Sequence, residues 1–193
     1  MKQESLWTRV KHDASLFGNL RALCLSGVFV AMSIILGKFL QFPNPFQQII
    51  RISFENLPVI MAGLTMGPFI GACVGVVADL LGCVLYAYDV NPIVTLGALT
   101  IGFLSGLVSH YIVRKPLGAR VGVAVFVSHL GGSVLIKSLG IAAWYLAQYD
   151  MGLGELILWR ALNYLIIGTA EGVLLYLLLR HRALSKQLER MLR

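Results

Sequence analysis

The chain has 193 residues, of which 58% are hydrophobic and only 13% charged, with a formal net charge of +7 and a mean hydropathy of +0.79. Soluble domains average about 45–50% apolar and about 25% charged residues, and a core of this size still leaves roughly a third of the unfolded surface in contact with solvent. The apolar surplus therefore faces lipid, which excludes a soluble enzyme, a disulfide scaffold, a disordered chain and a nucleic-acid-binding domain together.

Residues 1–21 are polar and mildly amphipathic, lack an apolar signal region and read as a cytoplasmic N-terminal segment. A membrane span needs about 20 residues. Ala22 to Leu40 is the first, ending in Pro43-Asn44-Pro45. The stretch Leu57 to Tyr88 is too long for one span, and Gly67-Pro68 breaks it, since proline removes a helical hydrogen bond and restrains its predecessor. Two spans are expected there, about Gln47–Met66 and Pro68–Tyr88. Ile93 to Val113, Val121 to Ala147 and Leu156 to Leu179 complete six. The reading is an all-α integral membrane protein with one six-helix domain over 22–182, both termini cytoplasmic, and a basic cytoplasmic tail over 183–193.

Charge placement supports this orientation. Twelve of the 16 Lys and Arg fall in three clusters: Lys2, Arg9, Lys11 and Arg21; Arg114, Lys115 and Arg120; Arg180, Arg182, Lys186, Arg190 and Arg193. Each flanks an apolar run, as the positive-inside bias requires, and anionic lipid headgroups are their expected partners. The intervening loops carry Asp89, Asp150 and Glu155 instead. Cys24, Cys73 and Cys83 lie in apolar runs without metal spacing and read as small packing residues.

Ionisable groups at membrane depth are costly and mark function by default. Nine qualify: Lys38, Arg51, Glu55, Asp79, His110, His129, Lys137, Arg160 and Glu171. Lys38 and His110 sit near span ends, where long or polar side chains reach water. Arg51 and Glu55, four apart on one helical face, form either an ion pair or a ligand site. Asp79 is equally open between structure and ligand.

The outer side is richer in aromatic and hydrogen-bonding groups. The third loop reads Tyr86-Ala-Tyr88-Asp89-Val-Asn91-Pro92, the fifth span ends with Trp144, Tyr145, Gln148 and Tyr149, and the sixth begins Trp159-Arg160 with Asn163 and Tyr164. That mixture suits a planar, polar solute, although Trp and Tyr also form lipid-interface belts. Gly27 with Ala31, Gly67 with Gly71, Gly71 with Gly75 and Gly102 with Gly106 are small-xxx-small pairs of close helix packing. No phosphate-cradling loop, nucleophile elbow or metal-binding pair of histidines occurs, so no catalysis, cofactor or metal is expected.

The order Arg51-Ile-Ser-Phe-Glu-Asn-Leu-Pro-Val-Ile-Met-Ala-Gly, Met66-Gly-Pro, Ala78-Asp-Leu-Leu-Gly and Asn91-Pro-Ile-Val-Thr-Leu-Gly resembles the substrate-binding S components of energy-coupling factor (ECF) vitamin transporters, most closely the folate-type branch. The resemblance covers about residues 20 to 180. It implies six helices, a vitamin cavity built from outer loops and the outer ends of helices four to six, and delivery by toppling against a transmembrane coupling subunit driven by two cytoplasmic ATPases in the cell membrane. It places coupling-subunit docking on Gly27 and Ala31 and the gate loop around Pro43, Pro45 and Phe46. Many folate-type members carry a Gly-Tyr-x-Pro-Gly-like third loop, where this chain has Tyr88-Asp89-Val90-Asn91-Pro92.

With a folate-like ligand, a carboxylate such as Asp89 would receive the pterin edge and Arg160 or Arg51 the anionic tail. Tyr88, Asn91, Trp144 and Asn163 complete the expected substrate-binding set. Riboflavin and thiamin are alternatives on the same scaffold. A stand-alone transporter with a proton relay through Asp79, His129 or Lys137 is a different class, disfavoured because no inverted repeat is evident.

Overall fold

A computed structural model describes residues 6–43, 51–113, 115–149 and 152–192. The chain runs through α1 (Leu6–Ser15), α2 (Leu20–Phe39), the strand pair β1 (Gln41–Pro43) and β2 (Arg51–Ser53), α3 (Asn56–Met66), α4 (Pro68–Tyr86) and α5 (Pro92–Leu107). It continues through α6 (Leu117–Ser128), α7 (Lys137–Tyr149), α8 (Leu153–Arg180) and α9 (Arg182–Leu192). Two π-helical stretches, Val108–Ile112 and His129–Ile136, extend α5 and join α6 to α7.

Among the described residues, five helical segments are long and apolar enough to cross a membrane: Leu20–Phe39, Pro68–Tyr86, Pro92–Ile112, Leu117–Trp144 and Leu153–Arg180. They match the expected spans to within a few residues. The exception is the expected span over about Gln47–Met66. Its helix begins only at Asn56 and has 11 residues, about 16 Å at 1.5 Å each, while Arg51–Ser53 is a strand. Two local signals explain the difference. Ile50-Arg51-Ile52-Ser53-Phe54 alternates with the period of a strand, and Pro58 is tolerated only in a helix's first turn, where its missing N–H costs nothing.

Arg51 and Glu55 therefore do not share a helical face, the ground on which an ion pair or a ligand site was expected of them. The strand pairing is antiparallel, with Gln41 opposite Ser53, Phe42 opposite Ile52 and Pro43 opposite Arg51. Pairing satisfies backbone groups that would otherwise be costly near hydrocarbon.

Gly67, at φ +88°, ends α3 and lets Pro68 open α4. Behind that turn, α3, α4 and α5 pack through glycines. A Cβ on Gly71 would strike the Gly102 carbonyl, one on Gly102 the Gly71 carbonyl, and one on Gly75 the Ala98 carbonyl. The small-residue pairs of α4 and α5 are thus consumed within the chain. Gly27 and Ala31, on α2, are exposed, and a Cβ on Gly27 would meet nothing within 4 Å.

The end of the bundle that carries the basic clusters is tied by buried Asp13 of α1. Tyr111 Oη donates to Asp13 Oδ2 at 2.8 Å, and His110 Nδ1 lies 3.4 Å from Asp13 Oδ1. Arg120 Nη2 donates to the Leu64 carbonyl at 2.5 Å, closing α6 onto α3. The basic helix α9 is not wholly solvated, since its Leu188 is buried in the core. Cys24 and Cys73 are exposed on the bundle surface, contrary to the expectation of packing residues, and Cys83 is half-buried.

Candidate functional site

At the end opposite the basic clusters the helices part around a cavity of about 490 Å³. Its walls come from six helices, both strands and the loop between α4 and α5, which is why no single run of sequence announces it. Ser33 and Gly37 of α2 form one side, Glu55 and Asn56 the floor beside the strand pair, and Asp79, Cys83 and Tyr86 one face of α4. Tyr88 and Asp89 stand at the mouth, and Lys137 of α7 with Arg160 and Tyr164 of α8 close the far wall.

The electrostatics of that wall are mixed. Lys137 Nζ lies 3.2 Å from Glu55 Oε1, so the two charges compensate across α7 and the start of α3. Thr95 Oγ1 donates to Asp79 Oδ2 at 2.7 Å, holding that carboxylate against α5. Arg160 is only 5% exposed. Its Nε and Nη2 donate to the Ser133 carbonyl at 3.2 and 2.6 Å, and its guanidinium lies 5.3 Å from the Tyr164 ring centroid. Among the described residues no carboxylate pairs with it. A buried cation served only by a neutral carbonyl and an aromatic face still favours an anion.

The third loop is built by a left-handed Ala87 (φ 53°), which turns Tyr88 and Asp89 across the opening. Tyr88 meets Tyr86 edge-on with centroids 6.0 Å apart, and Tyr86 Oη donates to the Ile34 carbonyl at 2.6 Å. Lys38 sits at the rim, 4.9 Å from the Tyr86 ring centroid.

Of the residues expected from sequence, Tyr88, Asp89, Asn91 and Arg160 come together around the cavity. Asn91 is committed to structure. Its Oδ1 accepts from the Ile93 and Val94 amides at 3.0 and 3.4 Å as the cap of α5, and its Nδ2 donates to the Gly140 carbonyl at 2.8 Å. Trp144 is exposed on α7 and Asn163 is buried in α8, and neither is part of the cavity lining. Pro45 and Phe46 lie outside the described residues, while Pro43 and Arg51 are described through their strand backbone.

The expected substrate-binding set omitted Glu55, Asp79, Cys83, Tyr86, Lys137 and Tyr164, although Glu55 and Asp79 were open to a ligand role and Tyr86 and Tyr164 stood among the outer aromatics. Helical spacing carried the signal: Asp79, Cys83 and Tyr86 follow the i, i+4, i+7 rule of one face, as do Arg160 and Tyr164 at i, i+4. Asn56, whose buried Nδ2 has no hydrogen-bond partner among the described residues, adds an unspent donor to the floor.

A family model for the substrate-specific component of ECF transporters matches residues 21–182. The chain belongs to that family. This ECF substrate-specific component is accordingly a multi-pass membrane protein that binds a substrate for transport. It is 35% identical over 57 residues to the folate transporter FolT of Clostridium novyi (strain NT), a match spanning 30% of this chain and 31% of that protein. Its fold is that of a FolT crystal structure bound with folic acid, with a TM-score of 0.62 at 23% identity over 81% of this chain and 91% of the other. It is equally similar to the biotin S component of an ECF-type ABC transporter, with a TM-score of 0.61 at 19% identity over 99% of this chain and all of the other.

Proposed function

We propose that this ECF component captures folate, or a related pterin, from the outer face of the cell membrane. It performs no chemistry on the vitamin. Delivery follows from association with a transmembrane coupling subunit and two ATPases, with Gly27 and Ala31 as the docking pair, because they are exposed and unfilled while the other small-residue pairs are packed.

The observation that carries the folate reading is the opposition, across one cavity, of the carboxylates Asp79 and Asp89 to a buried Arg160 without a carboxylate partner among the described residues. An aminopyrimidine edge donates to a carboxylate, and a glutamate tail presents the anion that a guanidinium binds in bidentate fashion. Tyr86, Tyr88 and Tyr164 supply flat apolar surface between them. Asn91 acts from behind, capping α5 and tying it to α7. The local likeness to a folate transporter points the same way.

Mass spectrometry of the small molecule that co-purifies with the protein tests this reading, together with titration of folic acid in detergent. A folate or pterin is expected. Riboflavin, thiamin or biotin in its place would reassign the cavity, and proton-driven uptake by this chain alone would remove the ECF mechanism.

A further inference from the structure

Two ionisable residues in the middle of the bundle line no part of the cavity, yet are buried and bound to each other. His129 and Glu171 are 3% and 0% exposed, and His129 Nε2 lies 2.6 Å from Glu171 Oε2. The other ring nitrogen, Nδ1, is 3.0 Å from Ser133 Oγ. With both nitrogens engaged, the imidazole can neither flip nor swing without breaking a buried polar contact.

The fixed ring has a neighbour. The Tyr164 ring stacks on it, with centroids 4.9 Å apart and planes inclined by 26°. Tyr164 is the wall between two spaces: the cavity on one side, and on the other an apolar groove of about 650 Å³ between α6 and α8. His129 also lines that groove beside Tyr164, and it is the ring on which Tyr164 stacks. Arg160 rests over the same Tyr164 ring and donates to the carbonyl of Ser133, the residue that meets His129 Nδ1.

We propose that His129, anchored by Glu171, is a positioning residue for the substrate site: its ring holds Tyr164 in the cavity wall, and through Tyr164 and Ser133 it sets the place of Arg160. Substrate affinity then depends on a buried ring that touches no substrate. The π-helical winding of His129–Ile136, in which the Lys137 amide bonds back five residues to the Gly132 carbonyl, is what brings this pair and Arg160 to one stretch of backbone.

The inference rests on reading the cavity as the folate site, and its test separates the two. Two double variants remove the buried carboxylate together with its partner: His129→Phe/Glu171→Leu keeps a flat ring against Tyr164, and His129→Leu/Glu171→Leu does not. Folic acid affinity of the purified protein in detergent is expected within about threefold of wild type for the first and about tenfold weaker for the second, a difference that disappears in a Tyr164→Leu background. Equal affinity of the two double variants would overturn the proposal. If either double variant fails to fold, His129→Gln, which keeps a bond to Glu171 without a ring, serves in its place: weakened binding supports the positioning role and wild-type affinity overturns it. If wild type itself does not bind folic acid, the folate reading fails while the positioning role remains testable. The ¹³C-tyrosine resonance of Tyr164, assigned through Tyr164→Phe, must then shift between the two double variants without ligand, and an unchanged resonance would overturn the proposal.

Discussion

Lys137 Nζ lies 3.2 Å from Glu55 Oε1, joining the first residue of α7 to the residue that precedes α3. The two partners are unequal, because the Lys137 side chain is 8% exposed and that of Glu55 40%. Glu55→Gln leaves a buried ammonium without its counter-charge, whereas Lys137→Met leaves a carboxylate that water can reach. Removing one partner of a buried pair costs about 3–5 kcal/mol, so Glu55→Gln should lower the melting temperature in detergent clearly more than Lys137→Met. The reverse order would mean that the pair is fully hydrated.

Arg160 is the group on which a substrate anion should depend most. Hydrogen bonds to a charged group contribute about 1.5–3 kcal/mol, so Arg160→Ala should weaken folic acid binding by about 10- to 100-fold. Arg160→Lys should recover little, since an ammonium cannot bridge a carboxylate in the same fork. Isothermal titration of the three proteins measures this directly. Asp89→Asn should weaken binding of the pterin part and leave the effect of the glutamate tail intact, visible as equal losses for folic acid and for pterin alone.

Glycine substitutions separate helix contacts from open surface. Gly102→Ala places a methyl group against the Gly71 carbonyl and Gly71→Ala against that of Gly102, so both should prevent stable folding or lower the melting temperature strongly. Gly122→Ala and Gly172→Ala meet open space and should be neutral or slightly stabilising, since alanine is the better helix former by about 1 kcal/mol.

Cys83 offers a probe already in place. It is half-buried in the cavity wall, between Asp79 and Tyr86, whereas Cys24 and Cys73 face outward from the bundle. A polar maleimide should label Cys83 in intact protein, and saturating folic acid should slow that labelling without changing the rate at the other two. Equal protection of all three would place the ligand's effect on the fold rather than on the cavity.

Most of the architecture was legible in the sequence because lipid imposes one strong rule: long apolar runs become helices, and Gly67-Pro68 divides the run that is too long. Gln47–Met66 misled because hydropathy alone does not distinguish an apolar strand from the start of a helix. The alternation through Arg51 and Ser53 and the place of Pro58 were the finer signals. The site was half legible. Tyr88, Asp89 and Arg160 were marked by chemistry close to turns or span ends, but Lys137 and Asp79 reach the cavity only because helices from distant parts of the chain converge there. His129 and Glu171 are 42 residues apart and nothing in the spacing pairs them. That contact exists only after α6 and α8 have packed.

The shortness of α3 acts as a ruler. Its first turn forms the cavity floor, so the residue at which the helix begins decides how long a molecule can enter before it meets protein. Moving that start by one turn would change the depth by about 5.4 Å while leaving the close-packed glycine contacts of α4 and α5 in place. Ligand length can thus be retuned in the four residues between β2 and Pro58, without redesigning the scaffold that holds them.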